Sequence, residues 1–522
     1  KVFYLSRLAQ ATTFDGGTTP LGYIDEALQI TASERNSSKD LLAQLRALRG
    51  RTLLNLGRNE EAYTELKQAL DLSGGLTLKV SLSEASMRGD LALAALLTNR
   101  KDDARRYLAY TGQGRLEKAP FNAAQSMSPP DCGEVSGLRP EDFAVVEFSI
   151  GDDGAVTRSQ TVYSTGGRAV AAAFAKAVSD WYWTPEAVKA IPLFYRLTRV
   201  ELRCTAADGP SQNVEKELGA RFAEWAAVQT GLRPVEGGGR QAELDALSRT
   251  IDSAKASGPF PRYAAALSSR ALAAPRSSEQ VVSSLDQILQ APEAALLPAE
   301  VRNTLRFYRL QAVQTSSITR TKRLTDGDRL RLATELFAFA AEPAVADDPL
   351  LTATAKLSAL SYLHKRLAAD QRAAAIQQVA NDTRLAPGNS VRQYALLQLA
   401  NDAAATGDLS SAQAYFQRTG LTEEQCALLG PKPEMRKDGT AAGFPNEAAE
   451  YGFEGWVRLE FDITAAGAPI GSRAVIAYPP FIFVDSATKM SQAARFRSSY
   501  RPGGNMACAA NNSNYRFILG TK

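Results

Sequence analysis

The stretch GWVRLEFDITAAGAPIGSRAVIAY, residues 455–478, carries the strongest structural pattern in the chain. Apolar residues at 457, 459, 461 and 463 alternate with charged residues at 458, 460 and 462, which predicts a strand with one buried face. Gly467 marks a hairpin-like turn, and residues 472–478 predict a second strand. Asp485 is a candidate cap for a helix that runs to Ala494. Alternation over 515–519 predicts a last strand, so the segment has the order ββαβ.

The same order of elements occurs earlier in the chain. Alternating apolar residues at 146, 148 and 150 lead to Gly154, a second strand includes 161–163, and a helix is predicted over 169–179. Apolar residues 200 and 202 then alternate with charged ones up to Cys204. Trp183-Thr184-Pro185 corresponds to Tyr500-Arg501-Pro502 of the later copy. Because helical sequence and a cysteine precede each copy, the chain is predicted to use one unit twice.

The rest of the sequence is helical in character. Residues 1–112 and 211–420 are rich in Ala and Leu, with apolar residues at helical spacing. Small residues at 50, 62 and 69, with a break at Leu56-Gly57, allow two antiparallel helices to approach closely. This pattern resembles a tetratricopeptide (TPR) repeat, and weaker versions occur at 97–104 and 406–412. A generic stack of helical hairpins is the open alternative for 211–405.

The later β segment resembles the TonB C-terminal domain. The resemblance implies a periplasmic domain of two hairpin strands, a helix and an edge strand. In that family the last strand can pair with an extended segment of an outer-membrane transporter. The earlier β segment keeps part of the pattern, at Phe148, Ile150, Gly154, Val162 and 183–185. The residues that carry the resemblance in the later segment are Phe444, Pro445, Ala448, Gly452, Gly455, Val457, Phe461, Ile463, Gly467, Val475, Tyr500 and Pro502.

The resemblance implies that partners bind by strand addition, because an edge strand offers backbone N–H and C=O groups to another strand. The alternative is that these edges are capped or paired within the chain. The residues expected to bind a partner segment are Tyr515, Arg516, Phe517, Ile518 and Leu519 in the later copy, and Arg199, Val200 and Leu202 in the earlier one.

The predicted fold class is α+β. TPR-like or α-solenoid helical segments alternate with two small ββαβ domains that resemble the TonB C-terminal domain. A length of 522 residues suits three to five domains at roughly 100–200 residues each. The predicted domains are a helical domain at 1–125, a first β domain at 126–208, a second helical domain at 209–425 and a second β domain at 426–522.

The four cysteines are predicted to form structural disulfides. Four cysteines allow three connectivities, and proximity within the duplicated unit favours Cys132–Cys204 and Cys426–Cys508. Such bridges indicate an oxidising compartment, which is in keeping with a periplasmic location. Four buried free thiols in a cytosolic protein are the alternative. No C-x-x-C motif is present, which argues against zinc ribbons and thioredoxin-like redox chemistry.

Composition and motifs exclude several classes of protein. Sixty basic and 56 acidic residues give a net charge of +4, too even a balance for a typical nucleic-acid binder. The single histidine, His364, excludes zinc sites that need two histidines and is expected to be structural. The phosphate-binding, dinucleotide-binding and nucleophile-elbow motifs are not found in the sequence. No apolar run is long enough to span a bilayer, although the start at Lys1 leaves an upstream anchor open.

The sequence therefore predicts a non-enzymatic periplasmic binding protein without a metal or a small-molecule cofactor. It would dock partner segments of the cell envelope by strand addition and on its helical repeats. The resemblance points to a TonB-dependent outer-membrane transporter as one such partner. The alternative is a TPR scaffold or envelope assembly factor in which the β domains are only structural. An enzyme with an unrecognised site is a second alternative.

Overall fold

A computed structural model of the chain describes residues 1–34, 38–115, 124–133, 136–205, 214–232, 240–273, 278–321, 325–363, 369–421, 435–437, 444–464, 466–496 and 511–519. These are called the described residues below. Four features of the sequence analysis lie outside them, namely His364, Cys426, Cys508 and the segment 500–502.

The described residues of the first helical segment (1–115) form six helices, which pack in sequential pairs. Gly50 lets α3 (Lys39–Asn55) and α4 (Asn59–Leu72) approach closely, because a Cβ atom there would collide with the side chain of Leu66. Gly57 follows the end of α3 with a φ of 72°, at the predicted Leu-Gly break. Ser81 and Glu84 form a capping box that begins α5. The helices are α1 (Val2–Thr12), α2 (Thr19–Ser33), α3 (Lys39–Asn55), α4 (Asn59–Leu72), α5 (Leu82–Leu97) and α6 (Lys101–Ala109).

The first β segment has the predicted order of two strands, a helix and a further strand. Gly154 lies in the turn between β2 (Phe143–Ile150) and β3 (Val156–Ser164) with a φ of 88°, and a Cβ there would collide with the backbone of Trp183. The Trp183 N–H donates to the Gly154 carbonyl at 2.9 Å, which fixes the chain after the helix to the hairpin. The elements are β1 (Ala124–Ser126), β2 (Phe143–Ile150), β3 (Val156–Ser164), α7 (Arg168–Ser179), β4 (Tyr182–Trp183), α8 (Pro185–Lys189) and β5 (Leu197–Arg203).

The second helical segment has its own apolar cores. Asp348 caps α16 (Pro349–Tyr362) by accepting from the Leu351 N–H at 3.1 Å, and it also pairs with Arg221 of α9 (Lys216–Thr230) at 2.6 Å. None of the helices within the described residues is both long and apolar enough to cross a membrane. The helices are α9 (Lys216–Thr230), α10 (Arg240–Ser257), α11 (Phe260–Ala273), α12 (Ser278–Leu289), α13 (Ala299–Thr321), α14 (Asp326–Ala341), α15 (Pro343–Ala346), α16 (Pro349–Tyr362), α17 (Ala369–Ala380), α18 (Ser390–Ala405) and α19 (Leu409–Gln417).

The second β segment repeats the hairpin, the helix and the last strand of the first. Gly467 has a φ of 82°, and its carbonyl accepts from the Phe496 N–H at 2.8 Å. Phe496 therefore occupies the place that Trp183 has in the first segment, whereas the predicted counterpart was Tyr500. The elements are β6 (Met435–Lys437), α20 (Asn446–Glu450), β7 (Gly455–Ile463), β8 (Pro469–Tyr478), α21 (Val484–Ala493), β9 (Arg495–Phe496) and β10 (Asn511–Phe517).

Both β segments contribute to one antiparallel sheet. Its strand order is β10–β7–β8–β5–β2–β3, so each segment supplies three neighbouring strands. Strand β5 of the first segment pairs with β8 of the second through Glu201–Ala477 and Leu202–Ile476. The fold is thus α+β, as predicted, but the two β segments are joined within a single sheet.

The two β segments match residue by residue. Phe148 pairs with Thr198 across β2 and β5, and Phe461 pairs with Asn511 across β7 and β10. The separations 461 − 148 and 511 − 198 are both 313 positions. Because this separation is constant from the first strand to the last, each residue of β5 has a defined counterpart in β10.

The sheet has an apolar core on each face. On one face, side chains of α4, α5 and α6 share a cluster with α21 and the alternate residues of β7. On the other face, Phe174 and Val178 of α7 share a cluster with β2, Trp456 and Ile476. The first helical segment is therefore packed directly against the sheet.

Candidate functional site

The two strands at the ends of the described sheet are β3 and β10, and β10 contains the predicted binding residues 515–517. Tyr515 and Phe517 are buried toward the core, while Arg516 is exposed on the opposite face. Ile518 and Leu519 follow the strand. Ile518 is 47% exposed, and the Leu519 N–H donates to a carboxylate oxygen of Glu454 at 2.9 Å. The predicted residues are thus brought together along one end strand.

The opposite end strand, β3, is covered by the first helical segment. The Asn55 Nδ2 group of α3 donates to the Val162 carbonyl at 3.0 Å, and its Oδ1 atom accepts from the Ser164 N–H at 3.1 Å. A side-chain amide carries one donor side and one acceptor side, so it can stand in for the peptide group of a further strand. The edge of β3 is therefore closed at residues 162–164 by a residue that the sequence analysis did not single out.

Strand β5 is not an edge strand, which corrects the prediction for Arg199, Val200 and Leu202. It lies between β2 and β8, and all three side chains are at most 2% exposed. The alternation of residues along a strand indicates which face is apolar, but it does not reveal whether a second neighbour is present. The alternative stated above, that an edge is paired within the chain, holds for this strand.

Arg199 belongs to a buried charge cluster between the sheet and the first helical segment. Its guanidinium pairs with Glu147 of β2 at 2.8 Å and with Asp90 of α5 at 2.9 Å. Arg51 of α3 pairs with the same Asp90 at 2.9 Å. The Ser86 hydroxyl donates to Glu147 at 2.7 Å and accepts from Arg199 at 2.9 Å. Two cations and two anions thus neutralise one another where four elements, α3, α5, β2 and β5, meet.

The cluster stabilises the charged forms of its members. Burial alone would raise the pKa of Glu147, but attraction by Arg199 and Arg51 and two hydrogen bonds outweigh it and lower this pKa to about 2. Burial alone would lower the pKa of Arg199, but Asp90 and Glu147 raise it. Gly89 makes room for the group, because a Cβ there would lie 2.6 Å from a guanidinium nitrogen of Arg199.

The contact between β5 and β8 is an instance of strand addition within the chain. Strand β8 is the second strand of its segment, and it pairs antiparallel with the last strand of the other segment. Leu202 and Ile476 are fully buried at this contact. A carboxylate oxygen of Glu201 accepts from the Phe481 N–H at 3.1 Å just beyond β8. The last strand of a segment of this type can therefore hold a partner strand on the side away from its own hairpin.

The constant separation of 313 transfers this contact to β10. The counterparts of Glu201 and Leu202 are Asn514 and Tyr515. Asn514 is exposed, and its Oδ1 atom accepts from the Arg458 guanidinium at 3.2 Å. The side of β10 away from β7 thus corresponds to the side of β5 that holds β8.

The structure confirms one predicted disulfide. Cys132 and Cys204 are bonded, and their Cα atoms are 5.0 Å apart. The Cys132 N–H donates to the Thr205 carbonyl at 2.8 Å, so the bridge fastens the chain before β2 to the end of β5. The predicted Cys426–Cys508 bridge lies outside the described residues.

The tryptophans at 181 and 183 are core residues, at most 1% exposed. No group of three or more His, Cys, Asp or Glu side chains within the described residues could hold a metal ion.

Comparison of the chain with protein-family models and with curated protein sequences finds no match.

Proposed function

We propose that this chain is a non-enzymatic binding protein of the bacterial periplasm, with TPR-like helices and two TonB-C-like β modules. A partner's extended segment binds by adding a strand to β10, on the side away from β7. A TonB-dependent outer-membrane transporter, which the sequence resemblance suggests, is the partner class to test first.

The pairing of β5 with β8 is the observation that carries this proposal. β5 and β10 are counterparts, because the spacing from first strand to last strand is the same in both β segments. β5 pairs with a neighbouring strand through its backbone. Backbone pairing supplies affinity with little dependence on sequence, and alternate side chains supply selectivity. A second strand at β10 would repeat a contact that the chain already makes once.

Photo-crosslinking of the full chain tests this binding mode. Benzoylphenylalanine is placed at exposed Asn514 of β10 and, as a matched control, at exposed Arg158 of β3. The probe is a synthetic peptide copied from the periplasm-facing extended segment of a TonB-dependent transporter. We expect crosslinks from position 514 and none above background from position 158. Equal yields from the two positions, or none from position 514, would overturn the proposal.

A scaffold in which the sheet is only structural is the second candidate function. The Arg199 cluster and the Asn55 cap favour it, because both fasten the sheet to the first helical segment. Partners would then bind the second helical segment, where Val228 is 73% exposed. Crosslinks of the same peptide from position 228, without crosslinks from position 514, would support this function instead.

A further inference from the structure

A cleft lies where the first helical segment and both β segments meet. Its volume is about 750 Å³, within the size range of ligand sites in proteins. It is separate from the strand contact proposed for β10, since none of its lining residues belongs to that strand. Its walls include the side chains of Leu78, Tyr110, Arg115, Tyr195, Glu450 and Tyr451.

Two walls of this cleft are held in place by a buried arginine. Arg88 of α5 is fully buried, and its guanidinium donates to the carbonyls of Thr77 and Tyr110 at 3.0 Å each and to that of Gly75 at 3.2 Å. These acceptors belong to the loop before α5 and to the residue after α6. The two terminal nitrogens of Arg88 donate to both walls and so hold them together, whereas its Nε–H has no hydrogen-bond partner among the described residues.

The third wall of the cleft, which includes Arg115 and Tyr195, is held in place by the sheet. The Gly114 N–H donates to the Tyr478 hydroxyl at 3.1 Å, and the Gly114 carbonyl accepts from the Glu454 N–H. Gly112 lies against the ring of Tyr195, where a Cβ atom would be 2.8 Å from a ring carbon. The cleft is therefore formed before any ligand arrives, which reduces the entropy cost of binding.

The cleft lining is about half polar, and it combines aromatic and aliphatic side chains with one arginine and one carboxylate. Aromatic rings of Tyr110, Tyr195 and Tyr451 line it, and Leu78 at its rim is 93% exposed. Arg115 is exposed in the lining and forms no ion pair with another described residue. Glu450 supplies one carboxylate to the same lining, and the positive charge of buried Arg88 behind the wall is offset by its attraction to Glu84.

We propose that this cleft binds a short peptide segment with large apolar side chains and a carboxylate, and that Arg115 pairs with the carboxylate. The tyrosine rings and Leu78 contact the apolar side chains. An exposed leucine favours a peptide over a sugar, because a sugar face stacks on aromatic rings rather than on a branched aliphatic chain.

Selection from a random octapeptide library displayed on phage, with the full chain as bait, tests the proposal. We expect enriched peptides that combine apolar residues with Asp or Glu. Leu78→Glu and Arg115→Glu should each weaken an enriched peptide about tenfold in fluorescence polarisation. Leu296→Glu and Arg158→Glu are matched controls at exposed positions outside the cleft, and they should leave binding unchanged.

A charge exchange sharpens the test. The Arg115→Glu variant should regain affinity when the acidic residue of the enriched peptide is replaced by lysine. The proposal is overturned if no peptide is enriched, or if the enriched peptides bind both cleft variants as tightly as the unmodified chain. It is also overturned if an N-acetylglucosamine tetramer binds and Leu78→Glu abolishes that binding, since the cleft would then recognise a glycan.

Discussion

Arg199 is the side chain on which the contact between sheet and helices most depends. Arg199→Ala leaves Glu147 and Asp90 buried without their shared cation. Loss of one partner from a buried ion pair typically costs about 3–5 kcal/mol, because the remaining charge stays desolvated. We expect a loss of this size in the free energy of unfolding, measured by urea denaturation. Arg158→Ala, at an exposed position of β3, should change it by less than about 0.5 kcal/mol.

Glu147 makes the stability of the cluster depend on pH. Its pKa of about 2 in the folded protein lies below the value of about 4.3 for an unfolded chain. The ionised form therefore contributes stability above pH 4.3, of the order of 3 kcal/mol, and this is lost as the pH falls toward 2. The difference in unfolding free energy between the unmodified chain and Glu147→Gln should shrink over this range. Glu224→Gln, at an exposed position, provides the baseline. A difference that stays constant from pH 7 to pH 3 would contradict this assignment.

Sequence reasoning fails at single residues where a charge is buried. Charged residues at 199 and 201 alternate with apolar ones, and such alternation usually means that the charges face water. Here they face the first helical segment and the neighbouring strand, at 2% and 1% exposure. Two of their partners, Asp90 for Arg199 and Phe481 for Glu201, are more than a hundred residues away in the chain, although Glu147 and Arg203 are nearer. Local pattern therefore contains no sign of the burial.

At the scale of elements, the closed edge of β3 at residues 162–164 depends on the side-chain amide of Asn55. Asn55→Leu removes both hydrogen bonds to Val162 and Ser164. An unsatisfied backbone group that remains partly buried costs about 1–3 kcal/mol. We expect faster hydrogen exchange in peptides that cover 156–164, measured by mass spectrometry. Asn446→Leu, at an exposed position of α20, should leave that exchange unchanged. Unchanged exchange in the Asn55 variant would mean that the cap does not hold the edge.

The disulfide stabilises the first β segment by closing a long loop. Cys132 and Cys204 are 72 positions apart, for which the chain-entropy relation gives about 4 kcal/mol. Replacing both cysteines by serine should lower the unfolding free energy by up to this amount. Dithiothreitol should then have no further effect on hydrogen exchange in peptides from 143–203 of the variant. A variant as stable as the unmodified chain would show that the bridge is not needed for stability.

The elements themselves were predictable because their causes are local. Strand alternation gave Gly455–Ile463, and the predicted helix at 169–179 is observed as Arg168–Ser179. The glycine turns at 154 and 467 have the positive φ values that only glycine adopts readily. The predicted counterpart of Trp183 was Tyr500, because both begin an aromatic-x-Pro pattern. The structure instead places Phe496 at the equivalent hydrogen bond. A bond to a distant turn is not visible in the local sequence.

On the scale of the whole molecule, the duplication could be predicted from the sequence, but the sharing of one sheet by the two copies could not. Repeated patterns predicted two β domains, and the structure joins them through β5 and β8. Pairing of strands from different segments depends on which edges remain after each segment folds, and that is a tertiary property. The packing of the first helical segment against the sheet was likewise not predicted. The predicted binding strand β10 remains at an end of the described sheet.

The joined sheet predicts that both β segments unfold as one cooperative unit. Ile476 is fully buried in the core shared with Leu202, and Ile476→Ala should cost about 2–5 kcal/mol by leaving a cavity. Because β8 supports β5 and β7 alike, hydrogen exchange near the global limit should speed up equally in peptides from 143–150 and 455–463. Ile376→Ala removes the same atoms from an equally buried site in the second helical segment, where the core contains no residue of the sheet. It should therefore speed up exchange in α17 and α18 but leave both sheet peptides unchanged. If Ile476→Ala affects only the peptides of the second β segment, the two segments are separate folding units despite their shared ladder.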